Sequence, residues 1–415
     1  MPIMKCKGGR AAILGLLMTV AGGVPLGAQV EQPGVDWTRV TEHDLNVASV
    51  FLTARDRGPR AALDSLERLA ARDPWIRAKG HQLAHSIGRY AMEQRKDLAV
   101  LGECTPRFQS GCFHGVLEGY FLQGGTIDRA SVGSVCAGQA RGFERMECWH
   151  GLGHGLMVHH AGDFTQALAL CDGLEAAQPR RECQDGIFME RAIRAIGATP
   201  INVGDGPGIG HAHGAEGHEG HAAESRSASP PDDPAPVTGK MAGPRAVLAK
   251  MAADREREQM CSGLDAAHQP SCWAYQSLVL MWMYWPRTER ALRVCDAAPA
   301  GAVADCYQGF GKQTLGASSG DVPKMIEACR QGDPAHLTDC LMGGVEYFTD
   351  LDWTIEPGIA FCRQVPDTAK PRCYEMIGAR LTLAHLDPEP VRAACRQVEP
   401  AYVRACLAGA GMRES

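Results

Sequence analysis

The cysteines of this chain come in regularly spaced pairs, and this spacing constrains the fold more than any other feature. After Cys6, sixteen cysteines form eight consecutive pairs, most of them separated by ten or eleven residues. The first cysteines of successive pairs recur every 32 to 35 residues, apart from one interval of 90. A period in the low thirties is typical of two-helix repeats. The pairs are Cys104 with Cys112, Cys136 with Cys148, Cys171 with Cys183, Cys261 with Cys272, Cys295 with Cys306, Cys329 with Cys340, Cys362 with Cys373, and Cys395 with Cys406.

The residues between the two cysteines of a pair predict the turn of a helical hairpin. They include Pro, Gly, Asp and Gln, as in residues 330–335, whereas residues 163–170 and 324–329 show helical apolar spacing. We therefore place the first cysteine at the end of a helix A and the second at the start of a helix B. Each pair is expected to form a disulfide that stabilises its hairpin by roughly 2–3 kcal/mol. Metal sites prefer short Cys-x2-Cys spacings that converge on one point.

The predicted fold class is all-α, an α-solenoid of about nine two-helix repeats with disulfide-stapled hairpins. A further hairpin without cysteines is expected before Cys104, with helix A at 60–72 and helix B at 74–93. The period and hairpin plan resemble those of TPR and Sel1-type solenoids, but the signature residues are absent and the resemblance implies no activity. A glycine often follows three residues after the second cysteine of a pair, as at Gly115 and Gly343, and predicts close packing between helices.

Composition and charge patterning predict four segments. Residues 1–28 have the basic start and apolar stretch of a signal peptide, and this predicts a secreted or periplasmic protein in which cysteines can pair. Helical repeats are expected over 36–198 and 245–412, separated by an insertion at 199–244. The formal net charge of −6 offers no positive surface for nucleic acid. No later run reaches the ~18 apolar residues that a membrane span needs.

The insertion is rich in Gly, Pro and Ser and carries a short histidine tract. Such tracts commonly bind transition metals, and a solvated linker is the alternative interpretation. The histidines expected to recruit metal are His211, His213, His218 and His221.

Three successive B helices each carry a pair of potential metal ligands four residues apart. Residues at i and i+4 share one helix face, so stacked repeats would bring all six side chains onto one surface, provided that this surface is concave. Five of the chain's fifteen histidines occupy these six positions. The pairs are His81 with His85, His114 with Glu118, and His150 with His154.

The spacing predicts two tiers of ligands, because residues i and i+4 differ by about 6 Å along the helix. One tier is His81, His114 and His150, and the other is His85, Glu118 and His154. Each is an open site for a transition metal, so we expect two ions, copper first and iron or zinc next, because imidazoles dominate and the compartment is oxidising. The accessory candidates, which a solvated helix surface would equally explain, are Asp185, His159 and His160.

These features predict a metal-dependent oxidoreductase of the oxygenase or oxidase type, with a small molecule or peptide as substrate on the concave face. A zinc-dependent hydrolase and a non-enzymatic scaffold that binds a protein or peptide stay open as alternatives. The run from His81 to His85 looks like a zincin helix motif. However, Gln82 replaces the glutamate that acts as general base there, so the motif does not support peptidase activity.

Overall fold

The computed structural model describes residues 41–139, 142–197, 252–351, 353–385 and 387–413. The predicted signal peptide and the insertion with its four histidines lie outside this part of the chain. All described residues belong to one compact unit. Every regular element in them is helical, and this confirms the all-α class.

The first half of the described chain contains seven α-helices. They are α1 (Glu42–Arg57), α2 (Pro59–Ala70), α3 (Pro74–Arg95), α4 (Gly111–Leu122), α5 (Gly142–His159), α6 (Phe164–Cys171) and α7 (Ala177–Ala195). The second half begins with a helical segment at 252–258. It continues with α8 (Gln269–Tyr284), α9 (Thr288–Asp296), α10 (Val303–Ala317), α11 (Val322–Cys329), α12 (Leu337–Asp350), α13 (Glu356–Cys362), α14 (Lys370–Ala384), α15 (Pro388–Cys395) and α16 (Val403–Gly409).

The expected hairpin without cysteines is present as α2 and α3. Helix α3 begins where the sequence provides both an N-cap and a first-turn proline. The Asp73 carboxylate accepts the N–H groups of Trp75 and Ile76 at 2.9 and 3.3 Å, and Pro74 occupies the first helical position, where its missing N–H costs nothing.

All eight predicted cysteine pairs are disulfides, with Cα atoms 5.5 to 5.8 Å apart. The second cysteine of each pair lies within the first two turns of its B helix, as predicted. Such a set fits a protein of an oxidising compartment. The bonds join Cys104 to Cys112, Cys136 to Cys148, Cys171 to Cys183, Cys261 to Cys272, Cys295 to Cys306, Cys329 to Cys340, Cys362 to Cys373, and Cys395 to Cys406.

Two hairpins depart from the expected plan in their first helix. Short 3-10 turns, Leu98–Glu103 and Val132–Ser134, precede Cys104 and Cys136 where we expected helix A. The chain before each of these cysteines is short and contains glycine, which disfavours a full helix. Among the described residues, no helix is both long and apolar enough to span a membrane.

The B helices pack against one another in chain order, from α3 and α4 through α5, α7, α8, α10, α12 and α14 to α16. The predicted glycines make this packing close. A Cβ atom at Gly186, Gly309 or Gly343 would lie only 2.0 to 2.1 Å from a backbone oxygen of the preceding B helix. In all three cases that oxygen belongs to the residue two positions after the second cysteine of the preceding repeat. Equivalent positions of successive B helices therefore lie next to each other. The three oxygens belong to His150, Ala274 and Gln308.

Helix α3 is displaced by one turn from this pattern. The corresponding glycine of α4, Gly115, would place a Cβ 1.9 Å from the backbone oxygen of His85, whereas the repeat spacing predicts His81 there. The hairpin of α3 has no disulfide that would align it with the others. As a result, His85 rather than His81 lies beside His114, the first predicted ligand of α4.

Helix α14 packs back against α5, although more than 200 residues separate them in the chain. The rings of Phe143 and Trp353 stack at 5.4 Å, and the Trp353 indole N–H donates to Oε1 of Glu147 at 3.1 Å. The Arg380 guanidinium lies 4.6 Å from the centre of the Trp353 ring. We call Phe143, Trp353 and Arg380 the return contact.

Candidate metal centre

Five of the six predicted ligands, all histidines, converge at the junction of α3, α4 and α5. Neighbouring imidazole rings lie 4.6 to 5.1 Å apart from centre to centre. Within the described residues two groups could each hold a metal ion, because their nitrogens lie within 4.8 Å of one another. The first group is His81, His85 and His114, and the second group is His114, His150 and His154.

These groups divide the histidines differently from the two predicted tiers. The one-turn displacement of α3 brings His81 and His85 together beside His114, and so both histidines of α3 enter the same group. His114 of α4 belongs to both groups. Glu118 belongs to neither.

Glu118 instead orients a ligand. Its Oε1 atom accepts a hydrogen bond from Nδ1 of His85 at 3.0 Å, and its Oε2 atom accepts one from Arg89 at 3.2 Å. Burial on its own would raise the pKa of Glu118, but the neighbouring His85 and Arg89 lower it to about 2. Glu118 is therefore a carboxylate at neutral pH and holds the proton of His85 on Nδ1.

The hydrogen bonds of the first group leave lone pairs facing its centre. Nδ1 of His81 donates to the backbone oxygen of Phe108 at 2.8 Å, and a neutral imidazole has only one N–H, so Nε2 of His81 carries a lone pair. The neutral form of His85 has the same arrangement, because Glu118 then holds its single proton on Nδ1. These two Nε2 atoms are 3.1 Å apart, and Nδ1 of His114 is 3.2 Å from Nε2 of His85. Nitrogens around a tetrahedral metal ion are about 3.3 Å apart.

In the second group, too, a carboxylate lies beside the outer nitrogen of a histidine and is itself hydrogen-bonded by an arginine. Nδ1 of His154 lies 3.3 Å from Oε2 of Glu190, and Arg194 donates to Oε1 of that carboxylate at 3.0 Å. The Nε2 atoms of His114 and His154 are buried and have no hydrogen-bond partner in the described part of the chain. An unpartnered buried polar atom costs about 1–3 kcal/mol, and a bound metal ion would remove that cost for both nitrogens.

The environment keeps three of these imidazoles neutral, those of His81, His114 and His150. Burial, together with repulsion from His85, lowers the pKa of His81 to about 3. Burial and the nearby His154 also lower the pKa values of His114 and His150 well below their ordinary value. A neutral imidazole is the form that binds metal ions.

The three accessory candidates lie outside both groups. Asp185 accepts a hydrogen bond from Arg181 at 3.0 Å, and the same guanidinium reaches Asp305. His159 and His160 form an edge-to-face pair with ring centres 4.8 Å apart, where α5 ends.

Two carboxylates beside the cluster were not predicted from the sequence. Glu190 lies seven residues after the second cysteine of its repeat, whereas Glu118 lies six residues after its own. An alignment of the repeats on their cysteines therefore does not reveal Glu190. Glu147 directly precedes Cys148, just as Glu182 precedes Cys183, and this shared position was the available signal. Burial raises the pKa of Glu147 to about 7, against the opposing charge of Arg380.

Comparison of the chain with protein-family models, with curated proteins and with solved structures finds no match. The functional assignment therefore depends on the geometry of this cluster.

Proposed function

We propose that the protein is a secreted or periplasmic α-solenoid that binds two transition-metal ions in its histidine cluster and uses them as an oxidoreductase of the oxygenase or oxidase type. The observation that carries the proposal is the convergence of five histidines from three helices into two groups whose ligand atoms lie within 4.8 Å of one another. The backbone oxygen of Phe108 and the carboxylates of Glu118 and Glu190 lie against three Nδ1 atoms, so that the neutral form of each ring would direct an unprotonated Nε2 atom into the cluster.

This arrangement favours metal binding over a purely structural role of the histidines. The Nε2 atoms of His81 and His85 face each other at 3.1 Å, and two neutral rings with their protons on Nδ1 would direct both lone pairs at one point, where a metal ion can bind. Metal-binding histidines typically donate their other N–H to a carboxylate or a backbone oxygen, which fixes the ring and raises its basicity. Three histidines of the cluster have such an acceptor.

The metal is expected to act in chemistry, since the fold has other means of stabilisation. Eight disulfides already stabilise the hairpins. Three nitrogen donors per ion leave coordination positions open, as in catalytic rather than structural sites. His81, His85 and His150 are only partly buried, so a small molecule or a peptide end can reach them.

Copper is the first choice of metal. Both groups consist of imidazoles alone, with Glu118 and Glu190 acting behind them, and imidazole-rich sets suit copper, then iron and zinc. A bound copper or iron ion would supply the electron transfer to dioxygen. The chain's own histidines would hold the two ions close together and keep one side of each open.

The decisive experiment loads a variant that lacks residues 199–244, with its disulfides intact, with copper, iron or zinc and measures metal content and dioxygen uptake with ascorbate as electron donor. Two copper or iron ions per chain with dioxygen uptake would support the proposal, and loss of both in His114→Ala would assign them to the cluster. The exposed His385 provides the control, because His385→Ala should change nothing. Retention of zinc alone would favour the hydrolase, and no stoichiometric metal would favour the scaffold.

A further inference from the structure

Glu147 lies between the histidine cluster and the return contact, and the proposed function does not use it. It is on α5, one residue before Cys148, and is 8 % exposed. Its Oε1 atom accepts the hydrogen bond from Trp353, while its Oε2 atom points to the cluster and lies 3.6 Å from Nε2 of His114. The carboxylate therefore contacts both regions.

The distance between Glu147 and His114 fits two ligands of one ion better than a hydrogen bond. N–H···O hydrogen bonds join atoms about 2.7 to 3.2 Å apart. Two donors that each lie about 2.1 Å from one ion are about 3.4 to 3.6 Å apart at ordinary coordination angles. Nε2 of His114 is 3.6 Å away, is buried and has no hydrogen-bond partner among the described residues.

We propose that Glu147 becomes a ligand of the second metal ion when that ion binds, on the same side of the His114 ring as Nε2, and that Trp353 positions its carboxylate. As the chain stands, Glu147 lies outside the second group, since its carboxylate is not within 4.8 Å of all three ligand nitrogens, and binding of the ion would draw it closer. This inference rests on the proposed function, because it requires a metal in the second group. It adds a negatively charged oxygen to a set of neutral imidazoles, and a buried divalent cation needs such compensation. Because Nδ1 of His114 faces the first group, the imidazole of His114 then lies between the two ions. A neutral imidazole has a single lone pair, so His114 would bind both ions only as an imidazolate, with its N–H proton released to solvent.

Trp353 holds Glu147 through contacts that come from the far end of the chain. Its ring stacks on Phe143, one turn before Glu147 on α5, and Arg380 of α14 covers the same ring. The indole N–H is then directed at Oε1, while Oε2 faces His114. The return contact thus sets the direction of the proposed ligand, and Trp353 is a positioning residue.

The experiment titrates the disulfide-intact protein without residues 199–244 with Co²⁺ and follows both the stoichiometry and the visible absorption of the bound ion. We expect two Co²⁺ per chain in the parent, and in Glu147→Gln a second ion that binds at least about ten-fold more weakly, with an altered spectrum. Glutamine keeps the acceptor for Trp353, so the fold should be preserved in circular dichroism. Glu182→Gln, at the same repeat position one helix further along, is the matched control and should resemble the parent.

Trp353→Phe tests the positioning role, since it keeps the stacked ring and removes the N–H. The second ion should bind severalfold more weakly and its Co²⁺ spectrum should shift toward that of Glu147→Gln, which a loss of stability alone would not produce. Two ions bound by Glu147→Gln with unchanged affinity and spectrum would overturn the assignment of Glu147, and so would a single ion in the parent that the substitution leaves untouched. A parent that binds no Co²⁺ would instead refute the proposed function.

Discussion

Nε2 of His81 and Nε2 of His85 face each other across 3.1 Å, while both Nδ1 atoms donate to other groups. Two neutral rings with these donors direct two lone pairs at each other, which is electrostatically unfavourable unless a proton or a metal ion lies between them. A cation between them reverses the sign of the interaction. The pair therefore presents two nitrogens at a spacing that fits two ligands of one metal ion.

The sharing of His114 between the two groups can be tested directly. Because His114 lies in both, His114→Ala should abolish stoichiometric binding of both ions, while His81→Ala should remove only the ion of the first group. Loss of one of three ligands should lower the affinity for that ion by more than about 100-fold, which exceeds the effect of losing an outer hydrogen-bond acceptor. Elemental analysis after dialysis measures this, with circular dichroism as a check on the fold. One tightly bound ion remaining in His114→Ala would show that the groups are independent.

Substitution of Glu190 should change only the affinity for the ion of the second group. It accepts from His154, and Glu190→Gln replaces a charged acceptor with a neutral one, so the second ion should bind about 10- to 100-fold more weakly. The matched variant is Glu118→Gln, which should affect only the first ion through His85. Competition titration with a chromogenic chelator resolves the two affinities. Equal effects of each substitution on both ions would contradict the division into groups.

The stability of the metal-free protein should depend on pH through His81. In the folded chain its pKa is about 3, against an ordinary value near 6.5, so between these values the unfolded chain binds a proton that the folded chain does not. The free energy of unfolding therefore falls as the pH falls below about 6.5. His81→Ala removes this component, and its loss of stability from pH 7 to 5 should be smaller than that of the parent by up to about 2 kcal/mol.

The measurement is denaturant unfolding at both pH values in the presence of a chelator. His385→Ala, which changes an exposed histidine, should keep the slope of the parent. Identical slopes for His81→Ala and the parent would show that His81 is accessible to protons in the folded state.

The disulfide between Cys171 and Cys183 should support the metal site as well as the fold. It joins α6 to α7, the helix that carries Glu190. Replacing both cysteines with alanine should lower the free energy of unfolding by about 3 kcal/mol and lower the affinity for the second ion. The same change at Cys395 and Cys406, remote from the cluster in the chain, should cost similar stability and leave metal binding intact. Thermal unfolding measures the effect on stability, and metal titration measures the effect on the site. A metal affinity equal to that of the parent in the variant without Cys171 and Cys183 would show that the position of α7 does not affect the site.

Much of this fold is predictable because its determinants are local. The cysteine spacing predicts all eight disulfides, and the periodic i, i+4 pairs predict that histidines of three helices meet. The grouping of the ligands is not predictable, since the displacement of α3 depends on how Gly115 packs on His85 in a hairpin without a disulfide. Glu147 and its contact with Trp353 depend on where α14 returns, which no spacing along the chain encodes.

The return contact also limits how a chain of this kind can evolve. Repeat arrays usually gain or lose whole units with little penalty, since each unit contacts only its neighbours. Between α5 and α14, however, one deleted or duplicated hairpin would move Trp353 away from Glu147 by about the 8–10 Å that separates packed helices. We therefore expect the number of hairpins in this interval to be invariant among descendants that keep the site, and changes in repeat number to be confined to the segments before α3 and after α14.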